Sequence, residues 1–178
     1  MKFELTQEYL KEILDYNPKT GELTWLKNRQ KRLVGREAGC IGFHGYRRIS
    51  IQYKKYFTHR LAWLFVYGGS YGDVTIDHID RNKLNNSIDN LRESSRSENC
   101  ANIGLRRTNT SGYVGIVYVP GERKAWKAQI RHNRKRFLVG YFLTPEEAAK
   151  ARDKKALELF GEYAYTNFPR EDYLAFRS

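Results

Sequence analysis

The segment 76-IDHID-80, followed by 89-DNLRESSRSEN-99, concentrates the side chains best suited to chemistry. Asp77 and His78 are adjacent. Histidine is the one side chain whose ordinary pKa lets it accept a proton near neutrality, and the carboxylate beside it is a hard oxygen ligand of the kind Mg²⁺ takes. Asn99 supplies a second, neutral oxygen, and Asn90 has both a donor and an acceptor with which to fix an imidazole tautomer. A base, a water and a cation on the leaving oxygen fit one-metal hydrolysis of a phosphodiester. Taken alone, the same residues also fit structural duties: Asp77 as a turn cap, His78 as a satisfied half-buried histidine, Asn90 and Asn99 as turn or capping residues.

The surrounding pattern says what positions them. Val74 to His78 reads as a short strand. Mid-strand, Asp77 and His78 would point to opposite faces, but at a strand end the backbone can aim both into one pocket. Asp80 to Asn86 is a polar loop and Ile88 to Arg92 a second short strand or extended turn. Ser95-Arg96-Ser97-Glu98 is a capping box, which starts a helix carrying Asn99. Upstream, Thr6 caps a short helix with an apolar face of Leu10, Ile13 and Leu14. Asn17-Pro18-Lys19-Thr20-Gly21 is turn chemistry, and Leu23 and Trp25 alternate as in a strand. Tyr46 to Gln52 and Lys55 to Thr58 read as strands joined at Tyr53-Lys54, and the run Leu61 to Tyr67 after His59 as a buried helix stopped by Gly68-Gly69.

The charge is distributed unevenly. Of 178 residues, 32 are Lys or Arg and 20 Asp or Glu, net +12 with a sequence pI of 9.7. Residues 27–60 carry +9 and residues 106–140 carry +8, on either side of a stretch, 61–105, at −2. Two basic blocks indicate two contact surfaces for an anionic polymer, and carboxylates between them are expected if they hold a cation. No run approaches the ~18 apolar residues of a spanning helix, and the N-terminus has no apolar core of a secretory signal, so the expectation is no membrane. Cys40 and Cys100 form no C-x-x-C pair, which argues against four-ligand structural zinc and for two free thiols in a reducing compartment.

Residues 56–102, YFTHRLAWLFVYG to IDHIDRNKLNNSIDNLRESSRSENCAN, resemble the phage-type HNH endonuclease core, and YNPKTGELTW resembles the leader that often precedes it. The resemblance implies a ββα-metal fold gripping one divalent ion, Mg²⁺ or Mn²⁺, against DNA. It implies His78 as the general base, Asn90 as the residue orienting that histidine, and Asp77 as a metal ligand. Asn99 stands where the last His of the H-N-H pattern is expected, a departure toward H-N-N. His59 matches a recurrent histidine of the family, with a structural role as open as a functional one.

Beyond the basic connector Arg106 to Ser111 the pattern becomes a three-stranded meander and a helix. The strands are Tyr113 to Val119, Ala125 to Arg131 and Arg136 to Phe142. The helix is announced by Thr144-Pro145-Glu146-Glu147 and ended by Gly161, with Ala148, Ala149, Ala151 and Ala156 small enough for close packing. Period two would send Trp126, Ala128 and Ile130, with Phe137, Val139 and Tyr141, toward the helix and leave Lys127, Gln129, Arg131 and Arg136 outside. Such a face suits the major groove, where Arg reads guanine and Gln adenine. Residues 111–169, with Gly-Tyr-Phe, the E-E-A-A-x-A-x-D helix and Asn167-Phe168-Pro169, resemble the ethylene-response-factor (APETALA-type) DNA-binding domain, which binds DNA with its sheet. Gln129, Arg131 and Arg136 match its contact positions, whereas Val117, Val119 and Leu138 replace plant-type Arg or Trp.

The expected fold class is α+β: a basic β-rich region over 1–55, a ββα-metal nuclease core over 56–105, and a three-stranded antiparallel sheet on one helix over 106–178. The expected function is a sequence-directed, metal-dependent DNA endonuclease of phage homing type, acting on double-stranded DNA in the cytoplasm of a bacterial host, with no protein partner evident. Arg47, Arg48, Lys54, Lys127, Gln129, Arg131, Arg134 and Arg136 are the expected DNA contacts. A restriction-type nuclease on the same core and a non-catalytic DNA-binding regulator with a decayed core are the alternatives.

Overall fold

The computed structural model describes residues 3–105, 107–121, 123–132 and 135–174, apart from the side chains of Arg96 and Leu174. The chain divides into two compact units, residues 1–95 and 96–178.

The first unit is built on small elements that share one core. Thr6 caps α1 (Gln7–Ile13) through the amide of Tyr9, and Leu14 then turns the chain into β1 (Leu14–Tyr16). β1 pairs antiparallel with β2 (Leu23–Trp25) across the Asn17–Gly21 turn. β3 (Cys40–Ile41), β4 (Arg47–Ile51) and β5 (Lys54–Phe57) form a second sheet in that order. The β4–β5 hairpin turns at Gln52-Tyr53, both at positive φ, rather than at Tyr53-Lys54. Two consecutive left-handed residues match the strand twist in a two-residue loop, so turn geometry overrides the usual Asn-Gly preference.

Helix α2 (Thr58–Tyr67) buries His59, Leu61, Ala62 and Leu64 and stops at Gly68, as the apolar run predicts. A third pair, β6 (Thr75–His78) and β7 (Leu91–Ser94), is antiparallel, with Asp77 opposite Arg92 and His78 opposite Leu91. A 3₁₀ turn over Ile88–Asn90 occupies the start of what the sequence reads as strand. Leu10, Leu14, Leu23, Ile49, Leu61, Ile76 and Leu91 bury their side chains in the same cluster. The apolar side chains of 1–55 share one cluster with those of 56–95, within the same compact unit.

The second unit opens with α3 (Arg96–Ala101), which the sequence assigns to the nuclease core. Its Ala101 is buried with Ile130, Ala156 and Phe160, and the Ala101 carbonyl accepts from the Tyr165 amide at 3.1 Å, which ties the helix to this unit. β8 (Ile116–Tyr118), β9 (Trp126–His132) and β10 (Lys135–Phe142) form an antiparallel sheet with β9 central. α4 (Pro145–Phe160) packs on it through Ala148, Ala149 and Ala156, all at 0% exposure. Its start is the predicted one, with Thr144 Oγ1 accepting from the Glu147 amide. A short helix, α5 (Glu171–Leu174), follows.

The expected inner face of β10 is corrected by a register shift between Leu138 and Gly140. The bulge re-aims the strand, so Val139 and Phe142 pack toward α4 while Tyr141 is exposed. Phe137 is 42% exposed and lies near His132.

Candidate active site

β6 ends where the sequence expects its chemistry. Asp77 and His78 are buried, 6% and 5% exposed. Asp77 Oδ2 accepts from Arg92 Nε at 3.1 Å and Nη2 at 2.9 Å, a contact across the ladder between directly opposed residues. His78 Nε2 meets Asn86 Oδ1 at 3.1 Å. On its other sides stand the rings of His59, at 4.9 Å between centroids, and Tyr46, at 6.0 Å. Lys83 Nζ lies over the Tyr46 ring at 4.7 Å and donates to the His44 carbonyl, tying the polar loop to the β3–β4 turn.

Burial sets the protonation of the two histidines. Burial holds His78 below the ordinary imidazole value, against the opposing pull of Asn86, Asp80 and Asp77. His59 is pushed down to about 3, first by burial and then by His78 and Arg60. His78 is therefore a neutral imidazole at physiological pH, the form that accepts a proton. Burial also raises Tyr16 to about 12, so its hydroxyl stays an O–H donor, and it donates to the Asn86 carbonyl at 2.8 Å.

Asn90 has a different partner from the one expected. Its Nδ2 donates to Asp80 Oδ1 at 2.9 Å and to the Asn85 carbonyl at 2.8 Å, and its Oδ1 accepts from the Asp80 amide at 3.0 Å. Asn90 thus closes the 80–86 loop, and the imidazole's own amide partner is Asn86. Asn99 lies half-buried on α3, in the second unit. Among the described residues, no three His, Cys, Asp or Glu side chains converge as ligands for an ion.

The expected DNA contacts divide by environment. Arg47 pairs with Glu37 at 3.0 Å, Arg48 packs its guanidinium over Gly42, and Lys54 is exposed at the β4–β5 hairpin. Lys127 and Gln129 are half-buried, and Arg131 and Arg136 are exposed directly opposite each other on β9 and β10. Gln129, Arg131 and Arg136 line an open groove of about 1070 Å³ within the second unit. Arg134 lies outside the described residues.

The family model described as HNH endonuclease matches residues 56–101. An uncharacterized HNH endonuclease of Acanthamoeba polyphaga mimivirus is 30% identical over 136 residues, covering 76% of this chain and 69% of that protein. The chain belongs to the HNH endonuclease family. Protein 3.8 of Escherichia phage T7 is 36% identical over 78 residues, covering 44% of this chain and 64% of its own length. The solved structure titled for DNA binding and cleavage by the HNH homing endonuclease I-HmuI aligns at a TM-score of 0.43 and 25% identity, over 57% of each chain.

Within this HNH endonuclease the matched segment contains Asp77, His78, Asn90 and Asn99, together with three residues that sequence reasoning passed over: Asp80, Asn85 and Asn86. The signal that marks them is the polar run Asp80 to Asn86 itself, denser in amides than a solvated turn needs. No helix among the described residues is long and apolar enough to cross a membrane. Cys40 and Cys100 are exposed free thiols.

Proposed function

We propose that this chain is a DNA endonuclease that hydrolyses phosphodiester bonds with His78 as general base, and that it is of homing type. The observation that carries the reading is the buried, neutral imidazole of His78, held by one amide and flanked by the Asp77 carboxylate, in a chain of the HNH family. His78 takes a proton from water, the hydroxide attacks phosphorus, the bond to the 3′-oxygen breaks, and that oxygen takes a proton from a solvent water, leaving 5′-phosphate and 3′-hydroxyl ends.

A hard divalent cation, Mg²⁺ or Mn²⁺, suits the available donors, which are carboxylate and amide oxygens without thiolates. Asp77 and, on the sequence alone, Asn99 are the residues assigned to hold it; it would neutralise charge on the departing oxygen. The pairing of Asp77 with Arg92 favours the alternative of a non-catalytic DNA-binding regulator, because the guanidinium already neutralises the proposed ligand.

The second unit is proposed as the DNA reader, in the manner of the ethylene-response-factor-like domain it resembles. The supporting observation is Arg131 opposite Arg136: like charges directly opposed on a ladder are unfavourable, and a phosphate or a guanine edge removes the conflict. Mapping the ends produced on double-stranded DNA with and without Mg²⁺ tests the function. Metal-dependent 5′-phosphate ends support it, and the absence of cleavage on any substrate, including the source locus, favours the regulator.

A further inference from the structure

We propose that Asn86 is a positioning residue for His78: its carboxamide oxygen holds the imidazole in the Nε2–H tautomer and so puts the proton-accepting lone pair on Nδ1, with the N-terminal turn fixing Asn86 in place. The inference rests on the assignment of His78 as the base.

The amide's orientation decides the tautomer. Asn86 Nδ2 donates to the Leu84 carbonyl at 3.2 Å, and a carbonyl only accepts, so the end facing the ring is Oδ1. An oxygen acceptor at 3.1 Å requires a hydrogen on Nε2. A neutral imidazole has one N–H, so its lone pair is on Nδ1.

Asn86 is 2% exposed and anchored by the segment before the nuclease motif. Tyr16 donates to its carbonyl, and the Ile88 amide donates to the Pro18 carbonyl at 3.0 Å. Gly21, at φ +77°, lies so close that a Cβ there would stand 2.2 Å from the Asn86 carbonyl carbon. Asn90 acts one step further out, closing the loop through Asp80 and Asn85. The leader therefore sets one end of a relay that runs from the 17–21 turn through Asn86 to the base.

The test uses the full chain with ¹⁵N-labelled histidines, nitrogen–proton correlation above the imidazole titration range, and single-turnover cleavage of DNA with Mg²⁺. The wild type should show His78 protonated at Nε2, with a slowly exchanging N–H signal. Asn86→Asp keeps an acceptor and should keep that signal. Asn86→Ala should lose it and slow cleavage at least about tenfold, by no more than the 10²–10⁴ that a base supplies, with DNA affinity unchanged. Tyr16→Phe, which leaves the amide in place, should give a smaller loss of rate. A wild-type His78 protonated at Nδ1, or an Asn86→Ala protein cutting at the wild-type rate while His78→Ala is inactive, would overturn the inference alone. Wild-type cleavage by His78→Ala would overturn the base assignment and the inference together.

Discussion

Two buried histidines 4.9 Å apart dominate the residue scale, and their burial has consequences for both rate and stability. The proposed role of His78 as base requires the neutral form, and burial holds its pKa below the ordinary value. As pH falls, the base therefore stays competent past the point where a free imidazole would be half protonated. The acid limb of the single-turnover rate should lie below about 6.5; a limb above it would mean that the carboxylates outweigh burial. Stability moves the other way. His59 has a folded value of about 3 against an unfolded value of about 6.5, so the unfolded chain binds the extra proton between them. Unfolding free energy should fall as pH drops below about 6.5, by up to about 1.4 kcal/mol per unit for such a group. Denaturant titrations between neutrality and the carboxylate range check this, and a flat profile would contradict a neutral buried His59. At this scale the sequence is legible for identity but not for pairing. Asp77 and His78 announce themselves by type and adjacency. That Asn86, not Asn90, reaches the ring depends on how a seven-residue polar loop folds back, which no periodicity encodes.

Elements are legible where a periodic pattern or a cap determines them. The helix from Thr144 to Gly161 and the apolar run of α2 appear in the structure within a few residues of their sequence signals, because capping and burial act locally. The turn at Gln52-Tyr53 and the bulge at Leu138–Gly140 carry no such signal; the turn sets which residues pair across the hairpin, and the bulge moves side chains from one face to another. The most constrained turn is Gly21, where positive φ and the contact with Asn86 both exclude a side chain. Gly21→Ala should destabilise the chain by about 1–3 kcal/mol, read by chemical denaturation; a neutral substitution would mean that the turn does not press on the loop. On the second unit, Arg136→Glu places opposite charges across from each other at Arg131. It should raise the melting temperature of the free protein, by about 0.2–1 kcal/mol in stability, while weakening DNA binding. Stronger binding by that variant would remove the sheet from the interface.

For the whole molecule, the net charge of +12 resolves into two basic blocks, and each compact unit carries one of them. The division of the chain was less legible than its motifs. The first 55 residues look like a separate basic region in composition, yet Leu5, Leu10, Leu14 and Leu23 lie in one cluster with Leu61, Ile76 and Leu91. α3 follows the β6–β7 pair in sequence as a ββα core requires, but its buried face is satisfied by Ile130 and Phe160. Cleavage of supercoiled plasmid carrying the source locus, with Mg²⁺, by wild type and by a folded His78→Ala variant tests most directly whether His78 deprotonates the attacking water. The wild type should give nicked or linear product, and the variant a rate about 10²–10⁴-fold lower. Equal rates from the two proteins would contradict it.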